Sequence, residues 1–165
     1  MLEENMKRLA IASAGAAALI IMTVMAACGG SSATTTAPIT ASSTEMPGTP
    51  VSVTGGGTYW MITPAELFSF KTKDFFLADT DTAYIGEIGG TDVFLNSDTI
   101  SQNLDKFPAD KNAKIVVYCA AGIKSKVVAE TLVQAGYTRV MELDGGITAW
   151  AQQGYMVVQK TRTMA

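Results

Sequence analysis

One short run constrains the fold more than any other. Lys114-Ile115-Val116-Val117-Tyr118 is apolar and β-branched, ends on Cys119, and passes through Ala120-Ala121-Gly122 into a helical pattern. A strand this continuous is covered on both faces. Beyond it, Val128, Leu132 and Ala135, with Ala129 and Val133 beside them, make an apolar stripe at helical spacing, and Gly136 suits the position just past a helix C-terminus. The chain therefore puts a thiol where a buried strand turns into an amphipathic helix. At such a junction the first helical N–H groups lack intrahelical acceptors and the helix dipole favours negative charge, so a thiolate is stabilised. The dipole contributes about 1 kcal/mol, a modest share of the cost of ionising a thiol. Further N–H donors or Lys124 would have to supply the rest.

Other segments fit the same architecture. Thr63-Pro64-Ala65-Glu66 reads as an N-cap, a proline at the first helical position and a capping-box glutamate, opening a short helix to about Phe70. Strands are expected at residues 59–62, 75–78, 93–95, 114–118 and 139–143, with Asp98 capping a helix over 99–106 that ends at Phe107-Pro108. A last helix is expected over 147–153, with Gly154 beyond its end. Strands alternating with helices over short loops predict an α/β domain with a five-stranded, mostly parallel sheet flanked by helices. Ligands of such sheets bind outside the carboxyl ends of the strands, which is where Cys119 falls.

The N-terminal third has a different character. Met6-Lys7-Arg8 is a short basic start, residues 9–25 are dominated by Ala, Ile, Leu, Met and Val, and Ala26-Ala27-Cys28-Gly29 supplies small residues. This is the layout of an export signal. Glu3 and Glu4 suit a basic leader poorly, which leaves Met6 as an alternative start. Residues 29–58 are mostly Ser, Thr, Ala, Pro and Gly, too poor in apolar surface to offset ordering entropy, and read as a flexible tether. The expected organisation is a signal at 1–27, a tether at 28–58, a domain at 59–159 and a tail at 160–165.

Composition excludes several chemistries. The 165 residues contain no His, which rules out a Cys-His dyad, a Ser-His-Asp triad and a histidine metal site. Asp79, Asp81 and Asp92 match no common metal loop, so no metal and no cofactor is expected. A formal charge of −3 argues against non-specific nucleic-acid binding. Only Cys28 and Cys119 are present. If Cys28 is modified, Cys119 has no disulfide partner in the chain, and an unpaired thiol in an exported protein is either buried and inert or kept for reactivity.

Two resemblances extend this reading. Met25-Ala26-Ala27-Cys28 resembles the lipobox of prokaryotic lipoproteins, which implies that Cys28 is acylated and becomes a membrane anchor; the alternative is an uncleaved anchor closed by a chance cysteine. Either way the domain is expected outside the cytoplasm. Val116-Val117-Tyr118-Cys119-x-x-Gly122-x-Lys124-Ser125, then Ala135-Gly136-Tyr137, then Leu143-Asp144-Gly145-Gly146-Ile147-x-Ala149-Trp150-x-x-x-Gly154, resembles the rhodanese-like domain. That resemblance implies a loop cysteine that carries a persulfide, cradled by the N–H groups of Ala120, Ala121, Gly122, Ile123, Lys124 and Ser125. Asp79 also fits, whereas Thr80-Asp81 and Gly86-Glu87-Ile88 depart from the family's Asp-x-Arg and Gly-His-Ile, and Ala120 replaces a common basic residue.

The loop also bears on the anion it could hold. Related phosphatases place an arginine after a cysteine and five residues, but that position here is Ser125, which disfavours phosphate chemistry. Gly122 reads as a positive-φ device that lets N–H groups converge, and Ile147 and Trp150 read as core. The expected function is an exported sulfurtransferase whose partners are a small sulfur donor, a thiol or cyanide-like acceptor and, through Cys28, a membrane. A non-catalytic binding module of the same fold, or a thiol sensor, are the alternatives.

Overall fold

The computed structural model describes residues 46–161. The expected signal, Cys28 and most of the expected tether lie outside the described residues. Among the described residues eight strands and three α-helices follow in chain order: β1 (Thr49–Ser52), β2 (Thr58–Ile62), α1 (Pro64–Ser69), β3 (Phe76–Asp79), β4 (Glu87–Ile88), β5 (Val93–Phe94), β6 (Ile115–Tyr118), α2 (Ile123–Gln134), β7 (Val140–Leu143), α3 (Gly146–Gln152) and β8 (Val157–Val158).

The main sheet has six strands in the order β1-β2-β7-β6-β3-β5. Pairings from β2 to β5 are parallel, and β1 alone runs antiparallel, on β2. The fold is thus α/β with a mostly parallel sheet, but with one more strand than the five expected. β1 falls inside the segment read as tether, and Met46 and Val53, also inside it, are buried. The domain therefore begins well before Tyr59. Thr49-Pro50-Val51-Ser52 carries little strand signal because proline is tolerated only where no ladder donor is needed, as on this sheet edge. β4 and β8 form a separate antiparallel pair. At the other end, Lys160 extends the domain past Gln159, its N–H donating to Tyr84 Oη at 2.8 Å and its Nζ lying 2.5 Å from Glu87.

Central strands are buried on both faces in strict alternation. Ile115, Val117 and Val140 pack with Tyr59 and with Val128, Ala129, Leu132 and Val133 of α2. Val116, Tyr118, Met141 and Leu143 pack on the other face with Leu67 of α1 and Ile147 and Trp150 of α3. α1 carries the expected capping box, Thr63 Oγ1 accepting from Glu66 N–H while Glu66 accepts from Thr63 N–H. Between β5 and β6 the expected helix over 99–106 is replaced by two 3₁₀ segments, Ser97–Gln102 and Leu104–Lys106. The cap of the first is Asn96, whose side chain accepts from Asp98 N–H at 2.8 Å, so Asp98 is the capped residue and not the cap. Gly136, at φ 91°, ends α2 as expected.

Candidate functional site

Cys119 follows the last residue of β6, at the carboxyl end of the sheet, and is only 2% exposed. It is the free cysteine among the described residues. Gly122 caps α2 in the left-handed region, φ 79°, so the chain turns from the strand end into the helix within three residues of the sulfur-bearing Cys119. A side chain could not replace it: a Cβ there would lie 2.9 Å from Gly145 N and 3.2 Å from Glu142 Oε1. The loop is also clamped from α3. Ile147 N–H donates to Cys119 O at 2.9 Å and Thr148 N–H to Ala120 O at 3.0 Å.

The residues expected to surround the sulfur divide into distinct roles. Ser125 is fully buried, and its Oγ lies 3.5 Å from Cys119 Sγ. Ala120 N–H donates to Asp81 Oδ2 at 3.0 Å, so this amide has a carboxylate as its acceptor. Lys124 Nζ donates to Thr82 Oγ1 at 2.6 Å, which holds it across the loop mouth against the segment after β3. Ile123 is 74% exposed and Ala121 is also exposed, so their side chains face solvent. Asp79 is buried and accepts from Asp81 N–H at 3.1 Å, which bends the chain so that Asp81 reaches Ala120. Among the described residues no group of three or more His, Cys, Asp or Glu is placed to hold a metal.

A residue that sequence reasoning passed over completes the network. Glu142 lies in β7, with its side chain wholly buried, and Ser125 Oγ donates to its Oε1 at 2.7 Å. Its Oε2 is buried without a hydrogen-bond partner. Burial pushes the carboxyl up to about 7, against the Ser125 hydrogen bond and Lys126, which lower it, while Asp144 raises it further. The available signal was a single charge inside the apolar strand Val140-Met141-Glu142-Leu143.

Comparison with known proteins agrees with this fold. The family model described as the rhodanese-like domain matches residues 90–153. Thiosulfate sulfurtransferase GlpE of Coxiella burnetii is 33% identical over 82 residues, covering 48% of this chain and 75% of that protein. The chain belongs to the rhodanese-like family. A sulfurtransferase of Allochromatium vinosum is 40% identical to this rhodanese-like chain over 55 residues, covering 33% of it and half of that relative's length. Among solved structures, a rhodanese-like domain protein from Staphylococcus aureus superposes with a TM-score of 0.52 at 29% identity, covering 61% of this chain and 98% of that one.

Proposed function

We propose that this protein is an exported, membrane-tethered sulfurtransferase that carries a persulfide on Cys119. The observation that carries the reading is the position of the sulfur: a thiol at the end of a parallel strand, three residues ahead of the cap of α2, with the buried hydroxyl of Ser125 in that helix's first turn 3.5 Å away. Similarity to a thiosulfate sulfurtransferase supports the same chemistry. In the first half-reaction the Cys119 thiolate attacks the outer sulfur of a sulfane donor such as thiosulfate. The donor's S–S bond breaks, sulfite leaves with the bonding pair, and Cys119-S-S⁻ remains. An acceptor thiolate or cyanide then attacks the outer sulfur, and the Cys119 thiolate leaves with the pair. The N–H groups at the start of α2 stabilise the negative sulfur in both halves.

The residues around the loop bear on donor choice. No cation follows Cys119, since Ala120 stands there, and Lys124 is held by Thr82. Asp81 adds a carboxylate at the Ala120 amide. A neutral persulfide donor therefore suits this site better than a dianion.

Intact mass measurement of the protein after exposure to thiosulfate, and separately to a polysulfide, tests the chemistry. A gain of one sulfur atom that prior alkylation of Cys119 prevents is the expected result. Absence of any gain with either donor would leave a binding module in its place. The tether rests on Met25-Ala26-Ala27-Cys28, and here membrane fractionation is the measurement. Cys28→Ser is expected to stay at precursor size, whereas wild type is shortened to begin at Cys28 and is held firmly by more than one acyl chain. A variant that is processed and bound like wild type would remove lipidation from the proposal.

A further inference from the structure

Ser125 Oγ stands between two acceptors, Cys119 Sγ at 3.5 Å and Glu142 Oε1 at 2.7 Å. A hydroxyl carries one hydrogen, so it donates to one of them at a time. Which one is decided by whether Glu142 has a proton to give. Resting on Cys119 as the reacting thiol, we propose that Glu142 is a positioning residue for the sulfur chemistry: as a neutral acid it donates to Ser125 Oγ and turns the Ser125 hydrogen onto the Cys119 sulfur, and as a carboxylate it takes that hydrogen for itself.

The surroundings of Glu142 favour such a two-way device. An ionised carboxylate in this strand leaves Oε2 buried and unpartnered, a costly arrangement that the neutral acid relieves. Lys126 of α2 approaches on the same side but lies 3.7 Å from Asp144, in a half-exposed pair at the rim. Tyr59 of β2 faces Glu142 from the neighbouring strand, with its own hydroxyl made less acidic by burial, by Glu142 and by Glu130. Cys119 faces it from the end of β6 and Ser125 from α2. Asp144, just past β7, opposes its ionisation. With the carboxyl at about 7, both states are populated near neutrality. Ionisation releases one proton to solvent, rotates one hydroxyl and adds one negative charge beside the sulfur; no bond to sulfur changes. Below the transition the site favours a negative sulfur, and above it the site opposes one.

The rate at which iodoacetamide, a neutral reagent, alkylates Cys119 reads this directly, with the Cys119 peptide followed by mass in the full-length protein. In wild type the climb of the rate with pH should flatten around pH 7, where Glu142 ionises and opposes a negative sulfur, and resume above it. Glu142→Gln keeps an N–H donor on Ser125 Oγ at every pH. It should therefore be alkylated about tenfold faster than wild type near pH 8.5 and within about twofold near pH 5.5, where the wild-type acid is already neutral. In a Ser125→Ala background the same substitution should give less than about threefold, because the hydroxyl that carries the effect is gone. A structural loosening would accelerate alkylation equally at all pH values. That outcome, an unbroken wild-type profile through pH 7, or a full tenfold gain without Ser125 would each overturn the proposal. Sulfur loading is measured separately. Loading without the break at pH 7 refutes the role of Glu142 alone, and the break without loading refutes only sulfur transfer.

Discussion

Gly146→Ala is expected to destabilise the domain by about 4 kcal/mol and to loosen the Cys119 loop. Gly146 sits at φ 59°, and a Cβ there would lie 2.1 Å from Cys119 O and 2.9 Å from both C and O of Ala120. These atoms cannot move aside cheaply. The two carbonyls are held by Ile147 N–H and Thr148 N–H, so relief requires α3 to withdraw from the loop. The left-handed conformation costs a non-glycine residue about 1–2 kcal/mol, overpacking about 1–3 kcal/mol, and each loosened hydrogen bond about 1 kcal/mol. Gly136→Ala separates these contributions, since Gly136 is also left-handed, at φ 91°, but has nothing within 4 Å of the added carbon. Urea unfolding should place Gly136→Ala about 1 kcal/mol below wild type and Gly146→Ala well below that, with little change in slope. Equal midpoints for the two variants would mean that the approach of α3 to the loop is not tight.

Wild type is also expected to lose up to about 3 kcal/mol of stability between about pH 4.5 and pH 7 through Glu142 alone. Its carboxyl titrates at about 7 in the folded protein against an ordinary value of 4.5. Between those values the folded chain holds a proton that the unfolded chain has released, so raising the pH favours unfolding across that window. Above it both states are ionised and the loss is complete. Other carboxylates superimpose their own trends, which cancel when wild type is compared with Glu142→Gln. The difference between the two unfolding free energies should therefore move in favour of Glu142→Gln from about pH 5 to about pH 7.5. A difference independent of pH would show that Glu142 is not destabilised by its burial.

What could be read in the chain followed how local each signal was. Five strands are β-branched or aromatic enough to announce themselves, and Gly122, Gly136 and the Thr63 capping box act through neighbours a few residues away. β1 was hidden because Pro50, Thr49 and Ser52 look like linker until β2 offers them an edge to pair with. β4 and β8 are two-residue strands whose pairing depends on the chain returning after some 70 residues, too short and too distant to show a pattern. Asn96 and Asp98 are both good caps, and only the tight 3₁₀ path decides between them. Within the site, Cys119 and its loop were legible because strand, glycine and helix are contiguous. The contacts of Asp81 and Thr82 with that loop span about 40 residues, and Glu142 gains its meaning only when β7 is laid beside β6.

The placement of β7 also sets an order of events during synthesis. β2 is made early and β6 later, yet in the sheet they are separated by β7, which hydrogen-bonds to both. A nascent chain that has emerged only as far as α2 already contains Cys119, its loop and Ser125, but has no strand to join the two halves of the sheet and no Glu142. Parallel pairings between such distant segments form slowly, since loop closure comes before the contacts that reward it. The ribosome must therefore release β7 and α3 before the sulfur site has its floor, so the thiol stays without the hydrogen-bonding frame that tunes it until nearly the whole domain has been translated.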